Sequence, residues 1–167
     1  LKDNVTFSNG TKMTADKVIA SLQRTAEMNP RAAWLEGAEY TAEGNVLTIR
    51  TKEPYATLVN ALCDPYAVIL DVAGTKDFDN APVCTGPFVM NSFEADKHAV
   101  MTKNPKYWGG DVKVDEVEYT KIADFNTLAM ALQGDEIDVA LDLSPETSET
   151  IAANDKFTVV KTPQTRT

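Results

Sequence analysis

Asn104-Pro105-Lys106-Tyr107-Trp108-Gly109-Gly110 stands between two stretches that read as β-strands, His98 to Thr102 and Val114 to Ile122. Proline and paired glycines interrupt a strand and turn the chain. Tyr107 and Trp108 form an amphipathic pair that can pin such a turn onto a sheet with its polar atoms bonded. The stretch is a structural junction, not a catalytic one. Working outward, three other segments share this character: Phe7-Ser8-Asn9-Gly10-Thr11, Cys84-Thr85-Gly86-Pro87-Phe88 and Gly134-Asp135-Glu136-Ile137-Asp138.

Downstream of Thr85 the pattern predicts an α/β arrangement. Strands are expected near residues 86–91, 98–103 and 114–122. Asp124 is placed to cap a helix whose apolar face is Leu128, Met130, Ala131 and Leu132, stopped by Gly134. Ile137 to Leu141 reads as a strand, Ser144 with Pro145 opens a second helix, and Phe157 to Val160 reads as a last strand. Strand–helix–strand–helix–strand implies parallel pairing through right-handed crossovers.

Upstream, Thr14 is a plausible N-cap, with Asp16 in the first turn of a helix over residues 15–28. Val18, Ile19, Leu22 and Ala26 share one of its faces, and Asn29-Pro30 ends it. Ala38 to Thr41 and Val46 to Thr51 flank Glu43-Gly44-Asn45 as a hairpin. Tyr55 to Leu62 suits a short helix after Pro54, and residues 64–83 read as mostly loop.

The 167 residues are 43% hydrophobic and 25% charged, which suits one domain or two small ones and excludes a disordered chain. No apolar run approaches the roughly 20 residues of a membrane span. The net charge of −9 is spread from Asp3 to Asp155, and Lys and Arg never cluster with aromatics. Such a surface repels phosphate backbones, so no nucleic-acid partner is expected.

Candidate chemistry is sparse. Cys63, Cys84 and the single histidine, His98, are too few for a structural zinc site, and no cofactor motif is present. The cysteines leave three readings open, a disulfide, two buried thiols or a reactive thiol, and no partner histidine is implied for the last. His98 reads as a solvent-facing edge residue, and no Gly-x-Ser-x-Gly elbow accompanies it. Phe7, Phe88, Tyr119, Phe125 and Phe157 read as core. Trp34 follows a helix end without a periodic partner, so it is either a ligand platform or a cap on the core.

Taken in order, the junctions resemble one family, the extracellular solute-binding proteins of peptide and nickel ABC importers (family 5). Leu1 to Ala15 looks like its entry strand, Phe-Ser-x-Gly turn and following helix start. Pro82 to Phe88 resembles its Gly-Thr-Gly-Pro-aromatic return strand, with Cys84 where glycine is usual. Lys103 to Gly109 matches its Arg/Lys-Asn-x-x-Tyr-Trp-Gly element, and Gly134 to Asp138 its Gly-[Asp/Glu]-Ile-Asp turn. Arg31-Ala32-Ala33-Trp34-Leu35-Glu36 is similar to an Arg-x-Ala-Trp-Leu-Glu run of the nickel-binding branch, whose tryptophan faces the bound chelate. That branch also has Leu-x-Arg-Pro, its arginine pairing with chelate carboxylates. Here Leu62-Cys63-Asp64-Pro65 reverses the charge, which favours a cationic group or a peptide amine.

The resemblance implies an α/β fold with a mixed sheet and flanking helices. That would be part of the first lobe of a two-lobed, type II periplasmic-binding-protein-like architecture. Residues 1–83 would be a small outer subdomain, residues 84–167 part of the core sheet and helices, and the second lobe would lie outside this segment. Leu1 to Phe7 already reads as a strand arriving at a turn, so the segment is expected to belong to a longer protein. The implied function is capture of a small peptide or metal chelate and its delivery to an ABC permease in the membrane, without enzymatic activity or cofactor. The intact protein would be exported to the periplasm or cell exterior, with a lipoprotein anchor. Trp34, Asp64 and Tyr66 are expected to line one open ligand-binding surface, and the segment alone to self-associate. A hydrolase and a ligand-sensing interaction module are the alternatives.

Overall fold

The structure is a computed structural model that describes residues 1–162. It contains two compact units, Leu1–Tyr119 and a second beginning at Thr120. Residues 84–119 belong to the first of these units. These stay with the preceding part through the antiparallel bridge Leu70–Cys84 and the Ser8 N–H, which donates to Cys84 O at 2.9 Å.

The first unit opens with a tight turn. Thr6 and Lys12 form an isolated antiparallel bridge, Phe7 N–H donates to Thr11 O at 2.8 Å, and Gly10 adopts φ +89, a left-handed conformation that suits glycine. Helix α1, Ala15–Met28, follows. Thr14 precedes it in extended conformation but makes no side-chain capping bond. The helix buries Val18 and Leu22 on the face that periodicity predicts, with Ser21 and Thr25 beside them. Asn29 ends it and restarts the chain, its side chain accepting from Arg31 N–H at 3.0 Å ahead of a 3₁₀ helix over Pro30–Leu35.

The hairpin pairs β1, Glu39–Glu43, with β2, Val46–Arg50. Tyr40 lies opposite Ile49 in register, and Tyr40, Leu47 and Ile49 pack against the cluster of Val18, Leu22, Ala32 and Leu35. Burying a side chain as completely as Leu22 contributes about 2 kcal/mol. Helix α2 is a single turn, Leu58–Ala61, shorter than the expected Tyr55–Leu62.

The second sheet has the order β3-β4-β5: Phe88–Glu94, His98–Lys103 and Glu116–Thr120. Strands β3 and β4 are antiparallel, with a β-bulge between Met90 and Ser92, and Asp96 takes φ 63 in their connecting turn. Beyond β4 the Asn104 side chain fastens the next turn. Its Nδ2 donates to Gly86 O at 2.8 Å, and its Oδ1 accepts from Lys106 N–H at 3.0 Å. A Cβ on Gly109 would come within 2.5 Å of the Tyr107 ring, so a larger residue there would push that ring aside. Trp108 stays at the surface, with Lys2 Nζ 4.0 Å from its ring centroid.

In the second unit, α3 is Phe125–Gln133 and α4 is Pro145–Ala152. Both expected caps are formed: Asp124 accepts from Thr127 N–H at 2.8 Å, and Ser144 accepts from Thr147 N–H at 3.1 Å. Ala131, Leu132 and Ile151 are buried.

Several expectations fail here. Residues 137–141 and 157–160 are not strands, and the parallel crossovers are not formed among the described residues. A strand needs a neighbour to bond with; without one these stretches leave Val139 70% and Val160 81% exposed. Tyr119, toward the end of β5, and Phe125, the first residue of α3, are likewise exposed rather than core, whereas Phe7 is fully buried. Phe88 and Phe157 are half-buried. Among the described residues no helix is long and apolar enough to cross a membrane.

Candidate functional site

A cavity of about 520 Å³ opens on the first unit, between the 3₁₀ helix, the α2 region and the turn that follows it. Arg31 and Trp34 stand three residues apart in the 3₁₀ helix. The segment kinks between them, Ala32 leaving helical geometry at φ −93 and ψ 23, and both side chains line the cavity. Trp34 is half-buried. It packs against the core cluster and stacks on Tyr55, the ring centroids 5.9 Å apart and the planes 4° from parallel. It thus caps the core and lines the cavity at once.

The opposite contribution comes from Asp64 and Tyr66. Asp64 precedes Pro65 and is extended, at φ −69 and ψ 140, as residues before proline prefer. Its Oδ1 accepts from Tyr66 N–H at 3.0 Å and so caps the short 3₁₀ turn Pro65–Ala67. The Arg31 guanidinium lies 5.0 Å from the centre of the Tyr66 ring and donates to the Tyr66 hydroxyl. Thr57, Asn60 and Ala61 complete the lining. Among the described residues neither Arg31 nor Asp64 belongs to an ion pair.

The recess therefore presents one cation, one anion, three aromatic rings and an amide. A guanidinium can hold a carboxylate through two parallel hydrogen bonds, and a carboxylate can accept from an ammonium group. Among the described residues no group of three or more His, Cys, Asp or Glu side chains could hold a metal ion. His98 does not line the cavity; its Nδ1 lies 3.9 Å from Glu94 Oε2.

Trp34, Asp64 and Tyr66, each singled out from sequence, lie around this one recess. Arg31 and Tyr55 were missed. Arg31 belongs to the same run as Trp34, and that run could have flagged it. Tyr55 gave no signal, because its contact with Trp34 joins residues far apart in sequence. Cys63 and Cys84 are free thiols here, and the bridge left open by sequence is not formed. Cys63 is exposed at the end of α2, whereas Cys84 is half-buried in the bridge to Leu70, and burial pushes its thiol pKa up.

A mixed-charge, aromatic recess on an α/β scaffold is the outline of a small-molecule binding module. A family model for bacterial extracellular solute-binding proteins, family 5 (middle), matches residues 1–167, and the chain belongs to that family. It is 31% identical over 168 aligned residues to the nickel-binding protein NikA of Staphylococcus aureus, which covers 100% of this chain and 34% of the relative. It is 27% identical over 173 residues to the glutathione-binding protein GsiB of Pectobacterium atrosepticum, covering 98% and 34%. Among solved structures, S. aureus NikA in complex with Ni(L-His)2 superposes with a TM-score of 0.87 at 30% identity, covering 93% of this chain and 34% of that one. A nickel ABC transporter structure from Bacillus halodurans gives 0.85 at 34% identity, covering 93% and 33%. The fold is thus part of a type II periplasmic-binding-protein-like architecture, and the chain spans about a third of the length of the relatives it matches.

Proposed function

We propose that this chain is one wall of the solute site in the binding component of an ABC importer, which captures a small peptide or a metal chelate and hands it to a membrane permease. Closure of a second lobe over the ligand would complete the site. Residues 1–83 would serve as the outer subdomain of the first lobe and 84–167 as part of its core sheet and helices. The intact protein would act outside the cytoplasmic membrane, held there by a lipid anchor, and would perform no chemistry on its ligand.

The observation that carries this reading is the convergence of Trp34, Asp64 and Tyr66 with Arg31 on one recess in a chain of this family. Asp64 supports a ligand with a cationic group, such as a peptide amine or a chelate bearing an amino group. Calorimetry on the intact protein with nickel–histidine and with glutathione or short peptides tests it. Trp34→Ala should weaken binding by about 1–3 kcal/mol, the cost of losing an aromatic anchor. Unchanged affinity in a folded variant would reduce Trp34 to its role in the core.

A further inference from the structure

Residues 64–71 carry two side chains of the recess, Asp64 and Tyr66, yet little regular structure holds them. Their only secondary structure is the 3₁₀ turn Pro65–Ala67 and the single bridge Leu70–Cys84. The backbone on the α1 side needs partners of its own. Ser21, buried in the middle of α1, supplies both: its Oγ donates to Val68 O at 3.1 Å and accepts from Leu70 N–H at 3.1 Å. One hydroxyl thus clasps the residues on either side of Ile69, which packs against the core. Serine is a poorer helix former than alanine, so its place at the centre of a helix gains its sense from these bonds.

A second clasp lies one turn earlier on the same helix. Asp71 is 1% exposed; Lys17 Nζ donates to its Oδ1 at 2.5 Å and Asn9 Nδ2 to its Oδ2 at 3.1 Å. Thr75 Oγ1 closes the far side by donating to Asp71 O at 2.7 Å. Lys17 and Ser21 are four residues apart, hence on one helix face, and together they grip residues 68 to 71.

We propose that Ser21 and Asp71, neither of which lines the cavity, are positioning residues that fix where Asp64 and Tyr66 stand in the solute site. The proposal rests on the function given above. Tyr66 is two residues from the Ser21 clasp and Asp64 four. At no more than about 3.3–3.6 Å per residue, this tether leaves little slack once residues 68 and 70 are held. Releasing the clasp lets the Asp64–Tyr66 wall drift while leaving the cluster around Leu22 in place.

Two measurements on the intact protein decide it. The first is hydrogen exchange without ligand, in wild type, Ser21→Ala and, as an independent release, Asp71→Asn. Amides in residues 64–71 should exchange faster in both variants, while those of α1 keep their protection. The second is affinity for nickel with L-histidine. Ser21→Ala should lower it about tenfold, the effect of losing roughly one net hydrogen bond's worth of order. The same substitution should change nothing when Asp64→Asn and Tyr66→Phe are already present, because nothing is left to position. An equal loss in both backgrounds, or unchanged exchange over 64–71, overturns the proposal. Wild type that takes up no nickel–histidine counts against the functional reading, and the exchange measurement then judges the clasp by itself.

Discussion

Replacing Asn104 by alanine tests the junction from which the fold was read. The side chain is 2% exposed and spans two pieces of chain, donating to Gly86 O at 2.8 Å and accepting from Lys106 N–H at 3.0 Å. The Asn104 N–H bonds separately to Pro87 O at 2.8 Å, and alanine keeps that bond. Two side-chain bonds are therefore at stake, each worth about 0.5–1.5 kcal/mol net. Groups left without a partner at a buried position push the sum upward, so the expected loss is about 2–3 kcal/mol. For a protein of this size that corresponds to a fall in Tm of roughly 4–12 °C. Urea unfolding followed by circular dichroism measures it, with an unchanged slope showing that only stability has moved. Asn104→Asp is the companion variant. It keeps an acceptor for Lys106 N–H but cannot donate to Gly86 while ionised, so it should be at least as damaging at neutral pH. A loss below about 0.5 kcal/mol for Asn104→Ala would refute the reasoning and make Asn104 an ordinary turn residue.

Further expectations concern pH, thiols and the solute. Burial alone would raise the Asp71 carboxyl, but Lys17, Asn9 and the Gly74 N–H together outweigh it and hold the group below its usual value. A depressed carboxylate contributes stability in full above its unfolded pKa of about 3.9, and loses it as pH falls through the lower folded value. The stability advantage of wild type over Asp71→Asn should accordingly shrink in acid, and an advantage that stays constant to low pH would count against the Lys17 pair. Thiol titration of denatured, unreduced protein should find both Cys63 and Cys84 free, and finding neither would mean a bridge. Residues 1–167 alone should fold yet bind nickel–histidine or peptides far more weakly than the intact protein, since closed sites bury roughly 70–90% of a drug-sized ligand and one wall cannot. Equal tight affinity for both would place the whole site inside this segment.

What the sequence revealed follows from the range over which each signal acts. Helix α1, the hairpin of β1 and β2, the strands β3 and β4 and the caps at Asp124 and Ser144 depend on neighbours a few residues away, and they read correctly. Residues 137–141 and 157–160 have the composition of strands, but composition does not supply a partner to bond with. Tyr119 and Phe125 failed as core residues for a related reason, because apolarity states a preference for burial without saying what will cover the ring. At the site, Trp34 and Asp64 could be singled out through local runs. The clasp on residues 68–71 was invisible, since Ser21 meets Val68 across 47 positions and Lys17 meets Asp71 across 54. Nothing in either neighbourhood hints at the other.

The irregularity in β3 changes how that strand's residues are to be numbered against its faces. Phe88 and Met90 lie opposite Lys103 and Met101, but past Asn91 the residue opposite Ala99 is Phe93. One side of the strand is thus even-numbered up to position 90 and odd-numbered from 93 onward. An alignment that matches β3 to a relative's strand by alternation alone will be right on one side of Asn91 and a residue out of step on the other. Substitutions meant to probe a single face must cross over with it.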